Sequence, residues 1–287
     1  MTQPKLAVTD LSTGDRYYDN GNGRKYKSVT SVLNMLPKQL FLVPWAAKVV
    51  AENACYIMDG IENGGGEDYL YPYFDEDECE FDFELMAEDL KNSWKWERDD
   101  AGGIGDEVHN SIDQLIEITK CKKSIVRDVF DAMVDEWGIS SEAKKRVSHF
   151  VTFCEENDVV PVGNEFTVFN DSFGYAGTCD LAAWVNGEAM FIDFKTSRSV
   201  HPDTALQLTA YRNGEYVVGD NSAREVPFSD IDSVVGCVLH LKSKSAKLIE
   251  FDISDKPFNA FITLLDLSRI WGDDLSKTAI GKTVWEG

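Results

Sequence analysis

YAGTCDLAAWVNGEAMFIDFK, residues 175–195, is the stretch from which the fold can be read. It holds two apolar and aromatic runs of strand length, 175–185 and 189–195, joined by Asn186-Gly187. Asn-Gly is the pair that a two-residue hairpin favours, because both central positions of its turn require positive φ. Just upstream, Glu165-Phe166-Thr167-Val168-Phe169 ends at the turn pair Asn170-Asp171 and supplies a third strand, so a three-stranded meander is expected. Beyond it the pattern predicts a helix over 204–217, a buried strand over 233–241, a hairpin partner over 246–251 and a closing amphipathic helix over 256–271.

Working toward the N-terminus, the texture becomes helical. Helices are expected over 141–156, over 124–137, and over 106–119, where Val108, Ile112, Leu115 and Ile116 recur at helical spacing. A separate helix is expected over 83–96 and another over 46–58, the latter opened by Val43-Pro44-Trp45. Ser28-Val29-Thr30-Ser31-Val32-Leu33 begins a further helix, with Ser28 or Thr30 as its cap and Pro37 as its end. Before it, residues 15–18 and 25–28 flank the turn-rich Asp19-Asn20-Gly21-Asn22-Gly23 as a hairpin. The whole reads as one α/β domain over 1–287: a mixed central sheet within 161–251, helices on both sides, a helical N-terminal portion, and an acidic insertion over 61–100 whose first part, 61–82, is an exposed loop.

The net charge of −22 argues against a uniformly basic surface that coats a nucleic acid, since backbone binding relies on Lys and Arg neutralising phosphates. The acid is uneven, however: residues 62–100 carry fifteen Asp and Glu against three Lys and Arg, which accounts for over half of the excess. A local basic groove elsewhere is compatible with that distribution. The six cysteines are scattered singly without a C-x-x-C pair, so neither a zinc site nor a disulfide framework is expected. No stretch is apolar for long enough to cross a bilayer and residues 1–10 lack a signal pattern, so a cytoplasmic protein with no membrane partner is expected.

Asp180 and Asp193 stand on adjacent strands of the expected meander, so both carboxylates can meet near one sheet edge. Asp193 and Lys195 are two apart and share a strand face, with the peptide carbonyl of Phe194 between them. Carboxylate and carbonyl oxygens are the ligands that hard divalent ions take, and hydrolysis of a phosphodiester needs such an ion together with a group that stabilises developing charge. A lone D-x-K is weak, since Asp89-Leu90-Lys91 and Glu142-Ala143-Lys144 repeat it, but those two fall in helical contexts where the pair would not share a face.

Gly177-Thr178-Cys179-Asp180, then Asp193-Phe194-Lys195-Thr196-Ser197, then Gln207-Leu208-Thr209-Ala210-Tyr211 resemble, in order and spacing, the G-x-x-D, D-x-K-T-S and Q-x-x-x-Y motifs of RecB-like PD-(D/E)XK nucleases. Gly105-Asp106-Glu107-Val108-His109 is similar to that family's G-x-x-x-H helix. Ser28-Val29-Thr30-Ser31-Val32-Leu33 and Pro44-Trp45-Ala46-Ala47 are similar to segments of bacteriophage exonucleases, and the first also to mitochondrial genome-maintenance exonucleases. Cys179 replaces the proline of the family name. The resemblance implies a restriction-endonuclease-like fold and a DNA exonuclease using one or two Mg2+ or Mn2+ ions, with a place in phage recombination, replication or repair. It implies catalytic roles for Asp180, Asp193 and Lys195. It also implies metal ligation by His109, Asp180, Asp193 and the Phe194 carbonyl, with Glu165 as an outer ligand through water. Gln207 and Tyr211, on one helical face, would contact DNA or brace the site, and Thr196 and Ser197 would lie along the DNA. DNA with a free end, and a recombination or replication protein, are the implied partners. Only Cys237 lies beyond Cys179, so no iron-sulfur cluster is expected. Trp94 and Trp96, beside Lys95 and Arg98, are candidates for stacking on bases. The alternatives are a catalytically silent DNA- or protein-binding module and an acidic decoy that mimics DNA.

Overall fold

A computed structural model describes residues 7–9, 16–21, 23–36, 39–63, 71–75, 80–119, 127–218, 224–225 and 233–271. The chain forms two compact units, Met1–Leu36 with Ile104–Gly287, and Pro37–Gly103.

The larger unit is a mixed α/β structure around the expected meander. β6 (Val159–Asn170), β7 (Tyr175–Val185) and β8 (Glu188–Lys195) pair antiparallel in sequence order. Asn186 and Gly187 hold φ of 52° and 82°, as their turn requires. β11 (Val235–Leu241) lies parallel to β8 and sets Val238 beside Asp193, and β12 (Ala246–Phe251) closes that side antiparallel to β11. On the other side, β1 (Ala7–Thr9), β2 (Arg16–Asp19) and β3 (Lys25–Ser28) form an antiparallel ribbon. β3 joins β7 in parallel, through Lys27 beside Tyr175 and Ser28 beside Ala176. β9 (Tyr216–Val218) and β10 (Arg224–Glu225) continue the sheet beyond β6.

One edge of β7 is therefore shared. β3 takes its first two residues and β8 takes Leu181 onward, so Gly177, Thr178, Cys179 and Asp180 lie in a fork between the two partners. Backbone groups freed from a ladder need other partners, and one of them is supplied by the Asp180 side chain, described below.

Helices cover both faces, which is why these strands read as almost continuously apolar. On one face α3 (Phe83–Thr119) and α5 (Ser141–Glu156) pack Val108, Ile112, Val147 and Phe150 against Ile192 and Phe194. α4 (Arg127–Met133) adds Phe130 to that core. On the other face α1 (Val29–Leu33), α6 (Thr204–Arg212) and α7 (Asp255–Ile270) pack Val29, Leu208 and Phe261 against Tyr175 and Phe191. Ser28 stands at the N-cap of α1, but its hydroxyl bonds Thr30 Oγ1 at 2.7 Å rather than a backbone N–H.

The smaller unit contains α2 (Gln39–Glu62), a short 3-10 turn (Tyr71–Tyr73), the two-stranded pair β4 (Phe74–Asp75) and β5 (Glu80–Phe81), and the first part of α3. It is thus wider than the stretch 61–100, and the described part of 61–82 is not merely loop. The bounds of expected helices are corrected in four places. α2 begins at Gln39 and carries Pro44 inside it; so near a helix start, proline removes a hydrogen bond only from the second turn. α3 is continuous where a break between 96 and 106 was expected, running through Gly102 and Gly103. Each glycine costs about 1 kcal/mol there, which weakens the sequence signal without ending the helix. The helix expected over 204–217 stops at Arg212, and Tyr216–Val218 is a strand. That expected over 124–137 is helical only for Arg127–Met133, and 124–126 and Pro37 fall outside the described residues. No helix among the described residues is long and apolar enough to cross a membrane.

Candidate metal centre

A cleft of about 270 Å³ opens at the fork of β7. Four elements of the larger unit aim carboxylates or a histidine into it: α3 through His109, β6 through Glu165, β7 through Asp180 and β8 through Asp193.

Asp180 and Glu165 get there by a break in strand alternation. Cys179 packs into one core and Leu181, two residues on, into the other, although strict alternation would put both on one face. The pairs Asn164–Leu181 and Phe166–Cys179 place Glu165 directly opposite Asp180. Glu165 itself holds φ of 44°, a left-handed conformation that is costly for a residue other than glycine and clusters at functional sites. Like charges set opposite each other in a ladder destabilise it. The structure keeps this pair and adds His109, so that one ligand atom from each of His109, Glu165 and Asp180 lies within 4.8 Å of the others.

The backbone of Phe194 orients two of these groups. Its N–H donates to Asp180 Oδ2 at 2.6 Å, and its carbonyl accepts from His109 Nε2 at 3.1 Å. With Nε2 donating, a neutral His109 turns the lone pair of Nδ1 toward Asp180 Oδ2, 3.6 Å away. Lone pair, carboxylate and carboxylate then converge on one point, which suits a cation there. The electrostatics agree. Burial, and after it the Asp180 carboxylate, push the Glu165 carboxyl up to about 7. Burial pushes Asp180 up to about 6, with the Asp193 charge adding to the rise and His109 opposing it.

Asp193 lies deeper, its side chain 3% exposed. Gln207 Nε2 donates to its Oδ1 at 2.9 Å. Its Oδ2 is enclosed and ion-paired with Lys195 Nζ at 2.7 Å. Burial alone would lower the Lys195 pKa, but the Asp193 and Asp180 carboxylates outweigh it and hold the amine above its ordinary value, hence protonated. Lys195 Nζ also donates to Gln207 Oε1 at 3.3 Å, and Gln207 Nε2 to Tyr211 OH at 2.8 Å. Gln207 and Tyr211 are both buried and wired to Asp193 and Lys195. Thr196 is half-buried and Ser197 exposed, the latter accepting from His240 Nε2 at its carbonyl.

The residues fit a hard divalent ion: His109, Glu165 and Asp180 would hold it, and Asp193, whose Oδ2 is paired with Lys195, lines the same cleft. Of the expected ligands, His109, Glu165, Asp180 and Asp193 line one cleft, and the first three form the converging group. Glu165 stands among the nearest donors rather than at a distance, and the Phe194 carbonyl is engaged by His109, keeping one further lone pair.

The motif glycines have a packing role that sequence reading missed. A Cβ on Gly177 would lie 2.8 Å from both Tyr211 Cε1 and Val29 Cγ2, and one on Gly105 would lie 3.2 Å from Thr196 Oγ1. Gly177→Ala is expected to destabilise the fold by about 1–3 kcal/mol, the usual cost of overpacking; urea unfolding checks it. Also unassigned from sequence were Arg16, Tyr18 and Thr178, which wall the cleft; Tyr18 OH and Thr178 Oγ1 are hydrogen-bonded at 3.1 Å. Their only sequence signal was membership of the first hairpin and the G-x-x-D stretch. Of the stacking candidates, Trp94 lies under the cations of Arg98 and Lys95, at 5.3 and 5.9 Å, and Trp96 is exposed. Compared with known proteins, the chain matches no protein-family model and no curated sequence.

Proposed function

We propose that the chain is a divalent-metal-dependent DNA exonuclease with a restriction-endonuclease-like core of the RecB-like kind. The observation that carries this reading is the convergence of His109, Glu165 and Asp180 in one cleft at the fork of β7, which the ion-paired Asp193 and Lys195 also line. A divalent ion bound there supplies Lewis acidity toward phosphate oxygens and makes water a stronger acid. The chain's own groups do the rest. Lys195, fixed by Asp193 and Gln207, presents a permanent ammonium to the charge that grows on a phosphate in the transition state. Gln207 acts through these two as a positioning residue, since it bonds both and is itself held by Tyr211. Phe194 fixes Asp180 and His109 with its two backbone groups. The preference for DNA, for free ends and for a role in phage recombination, replication or repair rests on the motif resemblance alone.

The test is digestion of end-labelled linear and of circular DNA, single- and double-stranded, with Mg2+, with Mn2+ and with chelator. Metal-dependent loss of linear DNA with circles intact is expected. Absence of cleavage on every substrate with either metal would remove the nuclease reading and favour a silent binding module.

A further inference from the structure

A second concavity lies on the α3–α5 side of the sheet, between α5 and the turn joining β11 to β12. It is lined by Lys144, Lys145, Ser148 and His149 of α5 and by Ser243 and Lys244 of the turn, over a floor of Phe130 and Val134, and has a volume of about 620 Å³. No carboxylate lines it, in a chain whose net charge is −22. The turn and the start of β12 add exposed Lys242 and Lys247, so residues 242–247 hold three lysines and no acid. Among the described residues Lys242, Lys244 and Lys247 form no ion pair. Lys144 and Lys145 pair with Asp135 and Glu142 at 2.8 and 2.6 Å. Asp135 is 87% exposed, and ion pairs of that kind contribute at most about 1 kcal/mol, so a phosphate can displace it at little cost.

The position of this groove gives it a ligand. β8 and β11 are parallel, with His240 beside Lys195, so the lysine turn leaves the sheet at the end where Lys195 stands. With strands about 4.8 Å apart and about 3.3 Å of rise per residue, the backbone of Lys244, four residues past His240, lies roughly 14 Å from that of Lys195. His240 Nε2 bonds the Ser197 carbonyl at 2.7 Å and ties that turn to the segment following Lys195. On the helical side, Phe150 of α5, next to His149, stacks edge-on against Phe194 with ring centroids 5.5 Å apart.

We propose that the groove between α5 and the β11–β12 turn holds the phosphate backbone of a DNA strand running on from the candidate cleft, with Lys145 and Lys244 as its main cations. The inference rests on the nuclease reading for the identity of the polymer. It also bears on the charge problem: over half of the acid excess lies in residues 62–100, and the groove itself is lined by lysines without a carboxylate.

The test is anisotropy of a fluorescein-labelled 20-nucleotide single-stranded DNA with calcium in place of magnesium, across a salt series. The double variant Lys145→Glu, Lys244→Glu is compared with Lys48→Glu, Lys256→Glu, which makes the same change in net charge at exposed lysines outside the groove. The groove variant is expected to bind at least tenfold more weakly, with the slope of log affinity against log salt reduced by about 1.4, since each lost single-strand phosphate contact removes about 0.7. Equal affinities and slopes for the two double variants, or no binding by the wild-type chain, would overturn the groove. Failure of cleavage with the groove effect intact would instead count against the nuclease reading alone.

Discussion

Lys195→Ala is expected to slow phosphodiester cleavage by roughly 10²–10³ or more, the usual cost of deleting a charged group aimed at a developing oxyanion, while leaving divalent-ion binding intact or tighter. The ammonium lies 2.7 Å from Asp193 Oδ2 and competes with any other cation for that oxygen, so its removal releases a ligand atom. Asp193→Ala should behave differently and lose both ion binding and cleavage. It also leaves the donors of Gln207 and Lys195 without their shared acceptor in a buried place, where an orphaned polar group costs about 1–3 kcal/mol. Asp193→Asn therefore accompanies it, since the amide oxygen can still accept from Gln207. Calorimetric titration with Mn2+ and single-turnover cleavage read the two properties separately. Lys195→Ala cleaving at the wild-type rate would sink the catalytic assignment. Loss of ion binding in Lys195→Ala would make the lysine a structural counter-charge.

The parts of the fold legible in the sequence were those set by neighbours in the chain. The Asn186-Gly187 turn, the apolar runs on either side of it and the helix over 141–156 are local, and each stands where it was read. What escaped was set by contacts between distant segments. No local pattern says that β3 runs parallel to the start of β7 and so creates the fork that frees Gly177 to Asp180. The alternation rule would have put Cys179 and Leu181 on one face, and it fails at Asp180, where Glu165 opposite takes up positive φ. Glycine at 105 or 177 reads locally as a helix or strand weakness. In three dimensions each admits a side chain from another motif, Thr196 at Gly105 and Tyr211 at Gly177. The motif residues were thus visible as letters, while the reason they occur together is that they pack on one another.

Asp180→Asn is expected to make the metal-free protein more stable at pH 8 and to abolish its stabilisation by divalent ions. Burial first, and the Asp193 carboxylate after it, raise the Asp180 carboxyl to about 6 from an ordinary value of 3.8, so across that interval the folded chain holds more protons than the unfolded one. Stability therefore falls as pH rises from about 4 to about 6, and Glu165, raised to about 7, extends the fall by about one further unit. At about 1.4 kcal/mol per pKa unit, Asp180 alone costs the apo protein on the order of 2–3 kcal/mol at pH 8. Asparagine removes that charge, and its amide oxygen can still accept from Phe194 N–H, the bond that Asp180 Oδ2 makes at 2.6 Å. Below about pH 4 both forms are neutral and the advantage should vanish. An ion that binds only the folded chain offsets the same penalty in the wild type, by about 2.7 kcal/mol at a hundredfold excess over its dissociation constant. Thermal melts of wild type and variant at pH 4, 6 and 8, with and without Mn2+, carry the comparison. A variant less stable than wild type at pH 8, together with a wild type indifferent to the ion, would mean that the carboxylates are held for the fold. A variant more stable when apo and silent toward the ion would mean that the chain tolerates their repulsion in order to bind one.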